Sequence, residues 1–396
     1  MTCSVPERGE RPHLESVPAW APRAPRTAAT PQLKDLTTLR VGGPITTYVE
    51  VETADDLADA VRAADDDGAP VLVLGGGSNL VAPDEGFDGV VVRDMRQEIT
   101  LESEDGCGGA AVRVSAGQPW DPFVCEAIAN GWMGVEALSG IPGTVGASPV
   151  QNVGAYGQEV SGVISAVRTY DRLTRSRVLL TLSELGFGYR TSALKRTLSD
   201  AEAGGGRLWG PTGRYVVLDV SFQFRLATLS EPVRYGELAR RLGIEVGERA
   251  PSTEVRAAVL DLRRGKGMVL DEEDRDSYSA GSFFTNPVLE AEHAETLPDG
   301  APRYPVTDPT KVTNIGQEPP VVPGLVKTSA AWLINHAGFE RGFTLNGRAA
   351  LSSKHALALT NHDGASGADI RELASHVADG VRDAFGVELV PEPVLL

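Results

Sequence analysis

Three polar side chains stand where neighbouring residues restrict the backbone, and each could take part in a reaction. Ser282 follows a glycine and precedes two phenylalanines, so its hydroxyl could protonate a carbanion in an apolar pocket if a network replenishes the proton. Arg190 ends a Phe-Gly-Tyr-Arg turn, where a guanidinium could hold a carboxylate or polarise a carbonyl. Glu392 lies between Pro391 and Pro393, which place its carboxylate on a stiff segment. The residues alone leave a structural or surface interpretation open for all three.

Two glycine-rich stretches could bind an anionic cofactor. The first, Gly75-Gly76-Gly77-Ser78-Asn79, follows an apolar run typical of a buried strand, and bare backbone N–H groups there can approach a phosphate. A plain tight turn explains this stretch equally well. The second, residues 139–157, holds five glycines and two prolines, which exclude a regular helix or central strand. It is too apolar for a solvated linker and predicts an ordered loop against a flat ligand, so the two stretches would suit the ends of a dinucleotide.

Net charge and cysteine usage exclude several classes of protein. The 396 residues include 37 Lys and Arg against 54 Asp and Glu, a formal charge of −17, which disfavours nucleic acid and anionic membranes as partners. Three cysteines and six histidines show no metal-ligand spacing, so we predict no metal. The sequence shows no secretory signal and no apolar stretch near the roughly 20 residues of a membrane helix. These features predict a cytoplasmic protein.

Two further segments have alternative interpretations. Residues 263–267 concentrate three cations in an otherwise acidic chain, which fits either a phosphate partner or a solvated loop. Tyr235 precedes Gly236 and could close over a substrate, although the residues alone favour the start of a helix.

Periodicity and capping residues predict an α+β chain. Thr53 and Asp56 resemble the cap of a helix that Gly68 ends, and a strand follows at residues 71–74. Further strands are predicted near residues 178–182 and 215–220, and helices over residues 254–264 and from Ser366 to Gly386. Residues 297–324 read as a long surface connection, and residues 387–390 as a short strand. The proline-punctuated residues 1–32 are predicted to form a disordered tail whose removal leaves activity unchanged.

Taken together, these motifs resemble one family, the UDP-N-acetylenolpyruvoylglucosamine reductases, also called UDP-N-acetylmuramate dehydrogenases. Their order and spacing make the resemblance specific, and it covers the chain from about Leu36 to Glu392. The segments that carry it are Leu74–Asn79, Ile141–Gly143, Gln151–Gly157, Phe187–Arg190, Ala280–Phe284, Asn286-Pro287 and Pro391-Glu392.

The resemblance implies a fold and a cofactor. After the tail, residues 1–32, it predicts a two-lobed FAD-binding domain of the vanillyl-alcohol-oxidase (PCMH) type over 33–226, an α+β substrate domain over 227–380, and a C-terminal segment, 381–396, that returns to the active site. No histidine lies between Leu36 and Arg225, so the FAD is expected to be non-covalent. The implied FAD contacts are Gly75, Gly76, Gly77, Ser78, Asn79, Gly140, Ile141, Pro142, Gly143, Gly146, Ala147, Gln151, Asn152, Gly154, Ala155 and Tyr156.

The resemblance also implies a reaction. NADPH reduces the FAD, and reduced flavin gives a hydride to C3 of the enolpyruvyl group of a UDP-sugar, forming UDP-N-acetylmuramate for peptidoglycan. Arg190 and Glu392 resemble the residues that stabilise the enolate-like charge, and Ser282 resembles the acid that protonates C2. The implied substrate contacts are Tyr189, Tyr235, Lys266 and Asn286. The chain departs from the family at Thr285, often lysine, and at Pro393, where many members carry a β-branched residue.

Two other functions remain as alternatives. Another flavin enzyme of this fold could oxidise a sugar or alcohol with O₂, but it would predict a flavin-linking His or Cys in the glycine region. A non-catalytic nucleotide-sugar-binding protein would not need Arg190, Ser282 and Glu392 together. The partners expected are a nucleotide-sugar substrate and no nucleic acid or membrane, and we expect a monomer.

Overall fold

The computed structural model describes residues 11–17, 30–308, 311 and 320–396. The strands are β1 (Ile45–Val51), β2 (Val71–Val73), β3 (Leu80–Val81), β4 (Phe87–Asp94), β5 (Ile99–Asp105), β6 (Gly109–Ser115), β7 (Trp132–Met133), β8 (Gly154–Ala155), β9 (Gln158–Glu159), β10 (Ile164–Asp171), β11 (Ser176–Thr181), β12 (Tyr215–Leu226), β13 (Val288–Glu290), β14 (Tyr304–Thr307), β15 (Val321–Lys327), β16 (Ala349–Leu351), β17 (Leu359–Asn361) and β18 (Val394–Leu395). The helices are α1 (Ala54–Asp66), α2 (Trp120–Ala129), α3 (Leu182–Leu185), α4 (Ala193–Arg196), α5 (Gly236–Leu242), α6 (Ser252–Gly265), α7 (Ala291–Thr296), α8 (Ala330–His336) and α9 (Gly367–Phe385).

Local capping signals place several helices as predicted. The Thr53 hydroxyl accepts a hydrogen bond from the Asp56 N–H at the start of α1, and Gly68 follows the helix with φ +67°. Ser366 forms a capping box with Asp369 at the start of α9, and Gly386 ends that helix at φ +66°. These boundaries depend on contacts within one turn, which is why the sequence shows them.

The described chain divides into two compact units. Unit 1 contains residues 11–17, Ile45–Gly76 and Asp88–Gly265, and unit 2 contains residues 30–44, Gly77–Phe87 and Lys266–Leu396. The division differs from the predicted boundary at residue 226, because α5 and α6 belong to unit 1. Their side chains Leu238, Val255 and Val259 form a buried cluster with Ala137 and Val233.

The described residues of unit 1 form two main sheets and the short strand pair β8-β9. The smaller main sheet has the strand order β1-β4-β2, and the buried face of α1 shares a core with its strands. The larger follows the order β11-β10-β12-β6-β5, with β7 added along β12. Trp120 and Phe123 of α2 belong to the same buried cluster as Phe222 and Phe224 of β12, and the Phe123 and Phe222 ring centroids are 4.8 Å apart. This core supports the loop that follows α2.

The described residues of unit 2 form three small sheets and a helical core. The sheets are β13-β15-β14, the pair β16-β17, and the pair β18-β3, in which the last strand of the chain runs parallel to β3. Buried residues of α8 and α9 pack with Phe283 and Phe284. The carboxyl end of the chain is therefore paired with the strand that follows the first glycine stretch.

Three predicted elements of the chain differ from the structure. The predicted surface connection 297–324 contains β14 and the start of β15. These two strands pair antiparallel in the sheet β13-β15-β14. Residues 387–390 form no strand; instead Val390 accepts a hydrogen bond from the Thr285 N–H, 3.1 Å away. Residues 11–17 of the predicted disordered tail lie against unit 1, whereas residues 1–10 and 18–29 fall outside the described chain.

The described residues include neither a membrane-spanning helix nor a cluster of metal ligands. No helix in these ranges is long and apolar enough to cross a membrane. No group of three or more His, Cys, Asp or Glu side chains in the same ranges is arranged to hold a metal ion.

Candidate active site

The two glycine stretches meet within unit 1. A Cβ atom on Gly76 would lie 2.5 Å from the Cα of Gly143, and one on Gly75 would lie 2.8 Å from Oγ1 of Thr144. Real Cβ atoms do not approach backbone so closely, so this crossing requires glycine at residue 76. The two stretches, which are far apart in sequence, therefore lie against each other at Gly76 and Gly143.

Substituting Gly76 is therefore expected to weaken the binding of a cofactor held by this crossing. Gly76→Ala forces the loop at Gly143 to shift, at a cost of roughly 1–3 kcal/mol. We expect the FAD dissociation constant of the apoprotein, measured by fluorescence titration, to rise about tenfold. Gly162→Ala is the matched control, because a Cβ there meets nothing within 4 Å. Equal FAD affinity in both variants would contradict the assignment of the crossing to the cofactor.

Helix α2 and the turn before it hold the second stretch. The Gly140 N–H donates to Oδ1 of Asp121 at 2.6 Å, and the Trp120 N–H donates to the Gly143 carbonyl at 3.0 Å. The Gly146 N–H donates to the Ala116 carbonyl at 2.9 Å. These bonds fix the loop from below.

The residues predicted to contact FAD fall into two groups: some are buried, and the others are at least partly exposed. Buried positions shape the loops and can offer backbone groups to a ligand, whereas partly exposed positions can also offer their side chains. The buried ones are Gly76, Gly77, Gly140, Gly143, Gly146 and Asn152. The others are Gly75, Ser78, Asn79, Ile141, Pro142, Ala147, Gln151, Gly154, Ala155 and Tyr156.

Asn152 is predicted to contact FAD, but its side chain is hydrogen-bonded to other parts of the protein. Its side-chain nitrogen donates to Oε2 of Glu159 at 2.7 Å and to the Gly188 carbonyl at 3.1 Å. Its side-chain oxygen accepts from the Ser161 N–H at 3.1 Å. Both amide hydrogens are thus bonded to protein, and the residue, at φ +49°, joins the glycine loop to the turn before Arg190.

Arg190 is held by that turn and by the glycine loop. Gly188 and Thr191 exchange two backbone hydrogen bonds, of 3.0 and 3.3 Å, which hold Tyr189 and Arg190 at the tip. Arg190 adopts φ +55°, a strained conformation for a residue with a side chain, and its Nη2 donates to the Gly154 carbonyl at 2.7 Å. The guanidinium therefore has a fixed position beside residues 154–156.

Tyr235 lies at the start of a helix and also beside the second glycine stretch. It directly precedes α5, and its half-exposed ring meets that of Tyr156 edge to face, with centroids 5.5 Å apart. Unit 1 thus places Tyr235 next to the loop predicted to contact the flavin. Tyr189 is also exposed, with its ring centroid 5.4 Å from the Arg190 guanidinium carbon.

A buried carboxylate that no sequence motif indicates, Glu136, organises this region. Glu136 is fully buried, and its oxygens accept from the N–H groups of Gly134 at 2.7 Å and Glu231 at 2.6 Å. It also accepts from the Gln158 side chain at 2.8 Å. Glu136 therefore ties the hairpin after Tyr156 to the segment that leads to Tyr235.

The basic segment 263–267 spans the boundary between the two units, because unit 1 ends at Gly265 and unit 2 resumes at Lys266. Arg263 is buried in unit 1, where burial lowers the pKa of its guanidinium, so it is not part of a solvated loop. Lys266 begins the third segment of unit 2 and is partly exposed. Asn286, another predicted substrate contact, accepts from the Ala330 N–H at 3.0 Å through its side-chain oxygen, at the start of α8.

Unit 2 brings the segments of Ser282 and Glu392 together. The Glu392 N–H donates to the Phe283 carbonyl at 2.8 Å, and Phe284 bridges Pro391. The Asn79 side chain donates to the Glu392 carbonyl at 3.3 Å, and the Val394 N–H donates to the Asn79 carbonyl at 3.0 Å. Three segments far apart in sequence, including the end of the first glycine stretch, therefore form one cluster.

Ser282 stands on a rigid support. Gly281 has φ +76°, Phe283 is fully buried, and the Phe283 N–H donates to the Leu357 carbonyl at 2.7 Å. Nε2 of His355 lies 3.5 Å from the Ser282 hydroxyl oxygen, near the limit of a hydrogen bond. The sequence placed no histidine near Ser282, because His355 reaches it only through the fold.

This architecture defines a class of protein. A glycine turn follows the buried strand β2 and crosses a second glycine loop too closely for a side chain at Gly76. Glycine turns of this kind present backbone N–H groups that can bind an anion such as the pyrophosphate of FAD. The chain is an α+β flavoprotein with an FAD-binding domain. The model of the FAD binding domain family matches residues 45–179.

Comparisons with known proteins identify the family. The family model described as UDP-N-acetylenolpyruvoylglucosamine reductase, C-terminal domain, matches residues 273–396. Reductases of that name are 50% identical in Cutibacterium acnes, over 92% of this chain and 89% of the relative, and 47% identical in Thermobifida fusca, over 92% and 96%. The crystal structure of the Thermus caldophilus reductase has a TM-score of 0.58, at 25% identity, and the alignment covers 92% of this chain and 97% of that one.

The chain belongs to the UDP-N-acetylenolpyruvoylglucosamine reductase family, a family of FAD-dependent oxidoreductases. The resemblance inferred from the motifs, the fold class and the FAD cofactor are confirmed.

Proposed function

We propose that this protein reduces UDP-N-acetylglucosamine enolpyruvate to UDP-N-acetylmuramate with electrons from NADPH, in the synthesis of peptidoglycan precursors. The observation that carries the proposal is the 2.8 Å hydrogen bond from the Glu392 N–H to the Phe283 carbonyl. That bond joins the backbone segments that carry the Glu392 carboxyl group and the Ser282 hydroxyl, and a positioned hydroxyl can protonate a developing carbanion. The relatives' names supply the substrate class.

The cofactor would be held by the two glycine stretches. The backbone of Gly75 and Gly76 is suited to a pyrophosphate, and the partly exposed residues 141–142 and 154–156 to a flat ring. When bound, FAD would supply the hydride that adds to C3 of the enolpyruvyl group. The chain between Leu36 and Arg225 has no histidine to form a covalent link.

The protein's own groups would manage charge and the proton. Addition at C3 moves negative charge onto the substrate carboxylate, and Arg190, together with Glu392 in its protonated form, would stabilise that charge. The Ser282 hydroxyl would then donate its proton to C2, which completes the reduction. His355, 3.5 Å from the hydroxyl oxygen, is placed to return a proton to Ser282.

Four residues would bind the rest of the substrate. Tyr235 stands on an exposed helix start beside Tyr156, which suits a contact made as the substrate enters. Lys266 would pair with a phosphate, and Tyr189 and Asn286 would supply polar contacts. The proposed enzyme is a cytoplasmic monomer whose partner is a nucleotide sugar.

A spectrum followed by two additions tests the function. The purified protein should be yellow, with a flavin absorption band that NADPH bleaches and UDP-N-acetylglucosamine enolpyruvate restores under anaerobic conditions. UDP-N-acetylglucosamine is the control, because it lacks the enolpyruvyl group. A band restored by O₂ but not by the enolpyruvyl sugar would favour an oxidase, and a colourless protein would contradict the proposal.

A further inference from the structure

The described N-terminal segment, residues 11–17, is attached to unit 1 by specific contacts. Val17 is buried, with 8% of its surface exposed, and Leu14 packs against the main core cluster. The Glu15 carbonyl accepts a hydrogen bond from Nη2 of Arg256 at 2.9 Å. The segment therefore packs on the protein although it forms no regular secondary structure.

The same segment reaches a buried ion pair beneath the glycine loop. The Val17 N–H donates to Oδ2 of Asp121 at 2.8 Å. Both oxygens of Asp121 also accept from the Arg256 guanidinium, at 2.7 and 2.8 Å, and both side chains are only 3% exposed. Although burial lowers the pKa of Arg256, its hydrogen bonds and charge interaction with Asp121 raise that pKa on balance.

Asp121 connects the N-terminal segment to the loop predicted to hold FAD. Its Oδ1 accepts the Gly140 N–H at 2.6 Å, so one carboxylate binds Gly140, Arg256 and Val17 together. A buried carboxylate is oriented by the sum of its donors. If the Val17 N–H is removed, the carboxylate is free to turn further toward Arg256, and its bond to Gly140 weakens.

We propose that the N-terminal segment positions Gly140 through Asp121 and thereby raises the affinity of the protein for FAD. The segment does not touch the cofactor; it is a positioning element. This inference rests on the proposed role of the glycine loop in holding FAD. It replaces the expectation that all residues before Leu33 are dispensable.

A pair of substitutions at one residue tests the hydrogen bond. Val17→Pro removes the N–H and keeps apolar bulk, whereas Val17→Ala keeps the N–H and loses buried side chain. The FAD dissociation constant of the apoprotein should rise about 5- to 10-fold in Val17→Pro and stay within about twofold of the parent in Val17→Ala. A segment that only stabilises the fold would lower the apoprotein's melting temperature in both variants without this difference in affinity.

Hydrogen exchange on the unmodified protein provides a second measurement that does not depend on a variant folding. Coupling between two binding events is reciprocal, so FAD must slow exchange in residues 11–17 if the segment favours FAD binding. Equal exchange with and without FAD would overturn the proposal.

The Gly76→Ala variant separates the two hypotheses. If Gly76→Ala weakens FAD binding but Val17→Pro does not, the positioning role is wrong and the loop assignment stands. If neither variant changes the affinity, the loop assignment itself is wrong.

Discussion

Replacing Ser282 with alanine is expected to slow reoxidation of the reduced flavin by the enolpyruvyl substrate about 10²–10⁴-fold, the usual contribution of a positioned general acid. Reduction of the flavin by NADPH should be unchanged, because that half-reaction has no carbanion to protonate. The hydroxyl is the only group lost, and the buried neighbour Phe283 keeps its hydrogen bond to Leu357.

Anaerobic stopped-flow absorbance measures the two half-reactions separately in one variant. The reductive half-reaction serves as the internal control for folding and FAD content. A variant that loses both rates equally would show that Ser282 supports the fold, not the proton transfer. A variant with both rates intact would transfer the acid role to another group.

Replacing His355 provides a second test of the role of Ser282 as proton donor. Its Nε2 is 3.5 Å from the Ser282 oxygen, so it is placed to replenish the proton, not to meet the substrate in place of Ser282. His355→Ala is expected to slow the oxidative half-reaction less than Ser282→Ala does. Adding His355→Ala to Ser282→Ala should cause little further loss, because residues that act in series are not additive.

Much of the fold follows from local signals in the sequence. Thr53, Ser366 and Gly386 mark helix ends through bonds within one turn, and the apolar run at residues 71–73 forms the expected strand. The glycine stretches were also informative, because the crossing of Gly76 and Gly143 tolerates no side chain. Where the backbone geometry requires glycine, that requirement can be inferred from the sequence before the structure is known.

The remaining features depend on contacts between distant parts of the chain. The division into units is one example: the Thr38 hydroxyl donates to the Ser279 carbonyl at 2.6 Å, and Val394 pairs with Leu80. No periodicity in either segment predicts its partner. Domain boundaries drawn along the sequence therefore missed the transfer of residues 33–44 and 77–87 to unit 2.

The site residues that the sequence missed share one property. Glu136 and Asp121 are buried carboxylates whose partners are mostly backbone N–H groups, and such groups carry no residue-type signal. Asn152 is a different case. The resemblance implies that it contacts the cofactor, whereas its side-chain amide donates to Glu159 and Gly188. The types of residue suggest chemistry, whereas the fold decides which side chains hold the loops.

Replacing Glu392 with glutamine is expected to slow the oxidative half-reaction about 10²–10³-fold, in the range of losing one group that stabilises transition-state charge. The amide has nearly the same shape as the carboxyl group but cannot share a proton with the enolate. The backbone should not move, because its N–H is bonded to Phe283 and its carbonyl to Asn79. Glu388→Gln is the matched control, since Glu388 is exposed on the same terminal segment.

The pH dependence of that rate distinguishes two roles for Glu392. If the carboxyl group acts while protonated, the parent's oxidative half-reaction slows as the pH rises and the group loses its proton. The glutamine variant, which has no proton to lose there, should be slow at all pH values and show a flatter profile. An unchanged profile together with a weaker affinity for substrate would assign Glu392 to binding, because a ground-state contact alters KM without altering the charge that develops during hydride addition.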